Sequence, residues 1–243
     1  AIRRQRQMCI RDRMGRTQLE DAVPMRLGQS FHAYATMIER DIRRIECARK
    51  ELFTLNLGGT AIGTTINASD YYLHHIVPTL AAVTGYPLMQ ADDLFDATEN
   101  LDGFVTISNT LKTCAVNLSK MCNDLRLLSS GPRTGFGEIN LPPMQNGSSI
   151  MPGKINPVIP EVVTQVAFHV IGNDTTITMA AEAGQMELNA FEPVVFYSLF
   201  SSITSMTGAV NTLVKNCILG ITANEKRCED LVSKSVGITT ALC

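Results

Sequence analysis

The sequence predicts an all-α protein built as a long helical bundle, and three of its features favour this fold class. Apolar residues recur at intervals of three and four along several long segments, which is the spacing of one helix face. No segment of useful length shows the apolar–polar alternation of a strand. The chain has 243 residues, 45% of them hydrophobic, and lacks tryptophan, so we expect a large aliphatic core that includes methionine.

The first long helix is predicted over Met25–Leu55. Pro24 suits the first helical position, because the N–H that proline lacks is not needed there. Gly58-Gly59 is expected to end the helix. Its polar face carries the charged residues Glu39, Arg40, Arg43, Arg44, Arg49 and Lys50. A shorter helix is predicted over Asp70–Thr84.

The clearest helical pattern lies in Phe104–Leu128. Its apolar residues alternate by three and four without interruption, at Phe104, Ile107, Leu111, Cys114, Leu118, Met121, Leu125 and Leu128. Such a seam is typical of a helix that packs along another helix at a shallow angle. The segment Ser129-Ser130-Gly131-Pro132 is expected to end it.

Three further helices are predicted in the second half of the chain, over about 157–183, 193–219 and 224–233. Asn156 can cap the first of these helices, and Pro157 can fill its first position. Apolar residues cover most of its circumference, which predicts a helix buried within a bundle. Asn173 and Asp174 interrupt this apolar surface, and we expect both to have polar partners.

The long helices leave much apolar surface on a single chain. At about 1.5 Å per residue, each of the three longest reaches roughly 40 Å, so they form an elongated bundle rather than a compact ball. We therefore expect a homo-oligomer in which the bundles of several chains pack together.

The charge and cysteine content indicate a soluble, reduced protein. A net charge of −2, with 18% of residues charged, argues against general attraction to nucleic acid or to a membrane. The seven cysteines are an odd number without a C-x-x-C pair, so we expect neither disulfides nor a metal cluster. No apolar run is judged long enough to span a membrane, and no signal peptide is evident, which favours the cytoplasm.

Residues 1–14 differ from the rest of the chain. They are rich in arginine and lack helical periodicity. A basic arm for nucleic acid is one interpretation, and a foreign end that is not part of the fold is the interpretation we favour. The sequence then predicts a central helical-bundle domain over residues 15–221 and the start of a small C-terminal domain over residues 222–243.

The segment Gly147–Pro157 combines two hydroxyls, a lysine and an asparagine with flexible glycines. It precedes a predicted helix, whose free N–H groups and positive dipole end favour an anion. Lys154 adds a full positive charge beside them. By composition alone most such loops are surface loops, but this one can also close over a carboxylate and offer it a base.

Three blocks of sequence resemble the aspartase/fumarase superfamily of lyases, and most closely its aspartate ammonia-lyases. The first is Gly15–Pro24, the second is the G-S-S-x-M-P-x-K-x-N-P loop at Gly147–Pro157, and the third runs from Gly172 to Pro193. The resemblance extends over Gly15–Cys243. It implies a homotetramer with a shared central helical bundle. It also implies that a family region upstream of the first block and most of the C-terminal domain are not in this chain.

The resemblance implies a mechanism as well. A serine at position 148 removes a proton from the carbon next to a carboxylate, which becomes an aci-carboxylate, and the group on the neighbouring carbon leaves. Ser149 is adjacent, and the sequence alone does not separate the two hydroxyls. Gly147 and Gly153 are expected hinges of a loop that closes over the substrate. Lys154 and Asn156 match positions that contact the substrate carboxylate.

Three further residues follow from the same resemblance. Thr17 and Gln18 match positions that contact the substrate from another subunit, and Glu161 matches a supporting carboxylate. Many members carry a histidine at position 18, paired with that carboxylate, whereas glutamine cannot exchange a proton.

Gln18 and the third block favour elimination of ammonia from L-aspartate to give fumarate. Fumarate hydration and a catalytically silent helical oligomer remain as alternatives. No cofactor and no metal are expected.

Overall fold

The computed structural model describes residues 12–237 of the chain. Within them, the elements are β1 (Asp12–Thr17), β2 (Glu20–Arg26), α1 (Leu27–Ala48), β3 (Thr54–Leu55), α2 (Asp70–Thr84), β4 (Met89–Gln90), α3 (Asp96–Glu99), α4 (Asp102–Leu128), β5 (Ile139–Asn140), α5 (Val158–Glu182), α6 (Glu192–Asn216), β6 (Thr222–Ala223) and α7 (Glu225–Lys234). The all-α prediction is confirmed: the structure is mostly helical, and four of its helices have more than twenty residues.

Most predicted helices agree with the observed ones within three residues. α2 matches its prediction at both ends, and α4 begins two residues earlier than predicted. α6 ends at Asn216, and a 3-10 turn over Ile218–Gly220 follows it. These segments are predictable because the periodicity that defines them is local in sequence.

The first helix differs from its prediction at both ends. The apolar spacing predicts a helix over Met25–Leu55, whereas α1 spans Leu27–Ala48 and a 3-10 helix over Arg49–Phe53 follows. Met25 belongs to β2, where it pairs with Arg13. Pro24 also lies in this strand, opposite Met14, so it does not start the helix. Pro24 and Met25, which the helical pattern places at the start of the helix, thus belong to a pair of strands.

The antiparallel hairpin of β1 and β2 was not predicted. It turns at Gln18 and Leu19, whose φ angles are +54° and +68°. Two residues with positive φ make the tight turn that suits a twisted hairpin, but such turns usually carry asparagine or glycine. The register of the pair also shifts between Met14 and Arg16, which interrupts the apolar–polar alternation by which a strand is recognised in a sequence.

Asp12–Met14 belong to the folded hairpin, and the side chain of Met14 is buried. The rest of the basic end, residues 1–11, lies outside the described residues, as do Cys9 and Cys243. The division into a central domain and the start of a C-terminal domain stays a prediction. By compactness, the chain forms two units with other boundaries.

The first compact unit comprises Ala1–Glu39, Asn117–Val166 and Thr207–Cys243. Its core includes Leu118, Met121, Leu125, Val163, Leu213 and Ile221. A buried charge cluster ties the hairpin into this unit: Arg13 and Arg16 both donate to the fully buried carboxylate of Glu138. The Arg16 guanidinium also lies 4.2 Å from the ring centre of Phe136. Arg13, Arg16 and the buried Met14 therefore anchor the hairpin to this unit, while most residues of β2 stay exposed or half-buried.

The second compact unit comprises Arg40–Val116 and Ala167–Met206. It supplies the partners predicted for the polar pair in α5. The buried Asp174 accepts hydrogen bonds from Ser108 (2.7 Å) and Lys112 (2.6 Å). Asn173 donates to the Ser198 carbonyl (3.2 Å) and to the Ser202 hydroxyl (3.0 Å).

α5 is not buried all round within one chain. Val163, Val170 and Ile177 are buried, whereas Phe168 is 63% and Met179 is 66% exposed. α6 also exposes large side chains, including Tyr197 at 75% and Phe200 at 62%. Exposed apolar rows of this size are typical of helices that pack against another protein surface.

One described segment is long and apolar enough to cross a membrane, contrary to the sequence-based expectation. Glu192–Gly220, which contains α6, reaches a mean hydropathy of 1.2 over eighteen residues. Length and composition alone do not distinguish a membrane helix from a core helix of a bundle, since both are apolar over this length.

The described cysteines Cys47, Cys114, Cys122 and Cys217 form no disulfides with one another. Burial raises the pKa of Cys122 to about 12 and that of Cys217 to about 11. Burial also raises the pKa of Cys114, to about 11. These thiols are therefore protonated at neutral pH.

Candidate functional site

The loop that carries Ser148 is closed on itself by backbone hydrogen bonds. The Ser148 N–H donates to the Lys154 carbonyl (3.1 Å), and the Lys154 N–H donates to the Met151 carbonyl (3.2 Å). Gly153 has a φ of +76°, which favours glycine at this corner. The loop therefore has a defined shape, although most of its residues are exposed.

The Ser148 hydroxyl faces two backbone donors. Its oxygen accepts hydrogen bonds from the N–H groups of Ile150 (3.3 Å) and Met151 (3.2 Å). Donors aimed at an oxygen stabilise negative charge on it, as they do in an oxyanion hole. Ser149 is exposed, and no such pair of donors faces its hydroxyl within the described residues. The geometry thus distinguishes two serines that the sequence leaves equivalent.

An open cleft of about 730 Å³ lies next to this loop in the first compact unit. Its lining brings together four predicted site residues: Gly153, Lys154, Asn156 and Glu161. Asn123, Asn140 and the turn residues 129–132 complete much of the wall. The cleft lining does not include Gly147, Ser148 or Ser149. Ser148 is hydrogen-bonded to Lys154, and Lys154 does line the cleft.

Helix α5 begins at the cleft. It starts at Val158, one residue later than predicted, and the Glu161 N–H donates to the Pro157 carbonyl (3.3 Å). Asn156 and Pro157 precede the helix and line the cleft. The positive end of the α5 dipole therefore points toward the same space as the Lys154 cation, and both favour an anion there.

Arg126 lines the cleft, although the sequence does not predict it as a site residue. It lies in the last turn of α4, and its Nη2 is 3.4 Å from Oε1 of Glu161 in the first turn of α5. A cation near a helix C-terminus opposite an acid near a helix N-terminus suits both dipoles. The sequence carries a weak signal for Glu161 alone, which stands among apolar residues in the first turn of α5.

Thr17 and Gln18 lie at the exposed tip of the β1–β2 hairpin. Thr17 pairs with Glu20 across the turn. Neither residue lines the cleft, so their predicted contact with a substrate from another subunit stays a prediction.

Comparison with known proteins places these features in context. A family model described as Lyase matches residues 12–172. The aspartate ammonia-lyase of Pseudomonas aeruginosa is 59% identical over 231 residues, which cover 95% of this chain and 49% of that protein. The chain thus spans about half the length of the curated relatives it matches.

Two solved structures share the fold. A fumarate lyase:delta crystallin from Brucella melitensis bound to cobalt superposes with a TM-score of 0.96 at 49% identity, covering 99% of this chain and 52% of that chain. A class II fumarase from Schistosoma mansoni gives 0.94 at 30% identity, covering 98% and 53%. With the family match over most of the chain, these likenesses show that the chain belongs to the lyase family and is homologous to aspartate ammonia-lyases.

Proposed function

We propose that the protein containing this chain is an aspartate ammonia-lyase, which reversibly eliminates ammonia from L-aspartate to give fumarate. The observation that carries the proposal is the pair of backbone N–H groups, from Ile150 and Met151, on the Ser148 oxygen. The high identity to aspartate ammonia-lyases supports the choice of substrate.

In the proposed reaction, Ser148 is the base. Its oxygen, as an alkoxide, takes the proton from the carbon next to one carboxylate, and the C–H electron pair moves into that carboxylate to form the aci-carboxylate. Collapse of this intermediate forms the carbon–carbon double bond and breaks the bond to nitrogen, so ammonia leaves. A serine is a poor base in water, and it needs preorganised donors in a closed, dry site.

Lys154 and Asn156 hold the carboxylate that accepts charge. Both line the cleft beside the start of α5. A cation and a helix N-terminus stabilise the additional negative charge of the aci-carboxylate more than the single charge of the substrate. They therefore bind the substrate and also lower the barrier.

Movement of the loop about Gly147 and Gly153 supplies the closed state. A side chain at Gly147 would meet the Lys154 carbonyl at 3.2 Å. Gly153 has a positive φ and open space around it. A residue with a side chain would thus strain each end of the loop, which supports the two glycines as hinges.

The proposed active enzyme is a cytoplasmic homotetramer with sites shared between subunits. The exposed apolar residues of α5 and α6 support assembly. The exposed hairpin tip supports delivery of Thr17 and Gln18 to a neighbouring Ser148 loop, and Gln18 acts there as a hydrogen-bonding group that does not titrate. Glu161 supports the site from within the cleft.

An assay of the full-length gene product tests the proposal. Purified protein is given fumarate with ammonia and, separately, fumarate in water, and loss of fumarate absorbance is followed. We expect consumption with ammonia only. Consumption in water without ammonia supports fumarate hydratase instead, which the fold shared with a class II fumarase favours as second candidate. No turnover in either assay supports a catalytically silent helical oligomer.

A further inference from the structure

Three groups hold the side chain of Arg16 just below the tip of the β1–β2 hairpin. Its Nη1 donates to Oε1 of the fully buried Glu138, and its guanidinium lies over the ring of Phe136. Its Nε lies 3.7 Å from Oδ1 of Asp21, the residue opposite Arg16 in the strand pair. The Arg16 side chain is only 8% exposed, and the exposed residues of the tip follow it directly. Arg16 is thus the last nearly buried side chain before the tip.

Glu138 and Phe136 belong to a short platform, residues 135–138, whose backbone is held by the start of α7. Arg227 donates to the first two carbonyls of the platform, both at 2.9 Å. Asn224 donates to the other two, at 3.0 Å from its side-chain amide and at 2.8 Å from its backbone N–H. Every carbonyl of the platform therefore accepts a hydrogen bond, and a support of this kind can fix the direction of a side chain that binds to it.

A bulge in the hairpin explains how Arg13 and Arg16 reach the same carboxylate. Side chains alternate between the two faces of a regular strand, so residues three apart point to opposite faces. Between Met14 and Arg16, however, the single residue Gly15 of β1 faces two residues of β2. Such a bulge increases the twist of the strand and changes the direction of nearby side chains. A β-carbon at Gly15 would meet the Val23 carbonyl oxygen at 2.8 Å, so glycine suits this position.

The tip itself has a backbone conformation that needs support. Gln18 and Leu19 have φ angles of +54° and +68°, in a region that residues other than glycine seldom occupy. Such conformations persist where the surrounding contacts determine them. The contact between Arg16 and Asp21 crosses the hairpin two residues before and two residues after this turn.

We propose that Arg16 is a positioning residue for the proposed reaction. Through Arg16, the rigid platform holds Thr17 and Gln18 in the orientation in which they meet the substrate bound to a neighbouring subunit. Arg16 does not touch that substrate. The inference rests on the proposed function, because that function assigns Thr17 and Gln18 to the neighbouring site.

Arg13→Met is a matched control for Arg16→Met, because each removes one of the two cations on Glu138. Arg13 pairs with Met25, away from the tip. In the full-length protein, both substitutions should lower the urea unfolding midpoint. Only Arg16→Met should lower kcat/KM for aspartate, by about 10- to 100-fold, because a small displacement of a substrate contact has effects of this size. Arg16→Lys keeps the charge but not the planar group, and it should recover part of the loss.

Mixed oligomers show on which chain Arg16 acts. A chain with Arg16→Met keeps an intact Ser148 loop, whereas a chain with Ser148→Ala keeps an intact tip. Co-refolding the two should therefore raise activity above that of either variant alone. Co-refolding Arg16→Met with Gln18→Ala should not, since both substitutions damage the tip. A general folding defect would damage the loop of the Arg16→Met chain as well, and it would remove the first recovery.

Hydrogen exchange tests the positioning role without turnover. In Arg16→Met, the backbone amides of residues 16–21 should exchange faster than in the parent and in Arg13→Met, as measured by mass spectrometry of tip peptides. Parent-like exchange in Arg16→Met overturns the positioning role, as does an equal loss of kcat/KM in the two arginine variants or a lack of recovery with Ser148→Ala. A parent enzyme without ammonia-dependent turnover overturns the proposed reaction instead, and the exchange comparison then decides the role of Arg16.

Discussion

Ser148 is the residue on which the chemistry depends most directly. Ser148→Ala removes the proton acceptor but no buried packing group, so kcat should fall by about 10²- to 10⁴-fold, the usual contribution of a general base. Steady-state kinetics and the oligomeric mass of the same preparation check this. Ser149→Ala should retain most of the turnover. The opposite ranking of the two variants would assign the base to Ser149.

Lys154 is expected to act in both the ground state and the transition state. A charged hydrogen bond contributes roughly 1.5–3 kcal/mol, so Lys154→Ala should raise KM by about 10- to 150-fold and also lower kcat. Initial rates over a range of aspartate concentrations provide both constants. An unchanged KM would place the Lys154 ammonium away from the substrate.

The buried thiols give a prediction that needs no substrate. Burial raises the pKa of Cys122 to about 12, so at pH 8 only about one thiol in ten thousand is ionised. Cys47 is exposed. A thiol-specific alkylating reagent at pH 8 should therefore label Cys47 well before Cys122, and peptide mass spectrometry reports the order. Labelling of Cys122 should become fast only in denaturant, and equal rates in the native protein would contradict the burial.

At the scale of elements, buried and nearly buried charges hold the hairpin in place. Glu138 is fully buried, and the side chains of Arg13 and Arg16 are 12% and 8% exposed. Glu138→Gln removes the buried counter-charge that Arg13 and Arg16 share, which should cost about 3–5 kcal/mol. The shift of the urea unfolding midpoint measures this cost.

A second acid near the same arginine provides the control. Oδ1 of Asp21 lies 3.7 Å from Nε of Arg16, and the Asp21 side chain is 48% exposed. Asp21→Asn should therefore lower the free energy of unfolding by only about 0–1 kcal/mol. If the two substitutions have equal effects, the Glu138 cluster does not anchor the hairpin.

The helices could be predicted from the sequence, but the β1–β2 hairpin and its contacts with Glu138 could not. The apolar seam from Ile107 to Leu125 can be recognised because its residues lie three and four positions apart in the sequence. By contrast, Gln18 and Leu19 turn the chain with positive φ but without glycine or asparagine. The partner of Arg13 lies 125 residues away, and no local pattern identifies it.

The candidate site shows the same division. The loop from Gly147 to Pro157 could be recognised because its residues are contiguous. The Arg126–Glu161 pair joins residues 35 positions apart on two helices, so only the folded structure reveals it. The roles assigned to Thr17 and Gln18 depend on a second chain, which neither the sequence nor one folded chain contains.

At the scale of the whole molecule, the proposal of shared sites predicts complementation between subunits. Gln18→Ala and Ser148→Ala should each lower activity, because each damages every site of a homotetramer. If residue 18 of one chain serves Ser148 of another, mixed tetramers contain some sites with neither substitution. Co-refolding the two impaired variants should therefore raise activity toward about a quarter of the parent value, the share of undamaged sites expected from random mixing.

One further mixture and one measurement of assembly control this experiment. Co-refolding Ser148→Ala with Lys154→Ala should restore nothing, since both residues belong to one loop of one chain. Size-exclusion chromatography with light scattering must show the same tetramer in every sample. Failure of the first mixture to exceed its unmixed parents would mean that Gln18 and Ser148 do not meet across subunits.

The Glu138 cluster also has a consequence for how the chain is made. Arg13 and Arg16 leave the ribosome 125 and 122 residues before their common partner. At about 5–20 residues per second, translation needs roughly 6–25 s to reach Glu138. During that interval the hairpin cannot dock, and Met14 and Leu27, which are buried in the finished fold, stay in contact with water. The nascent segment is thus a natural client for chaperones that shield apolar surface until its counter-charge is synthesised.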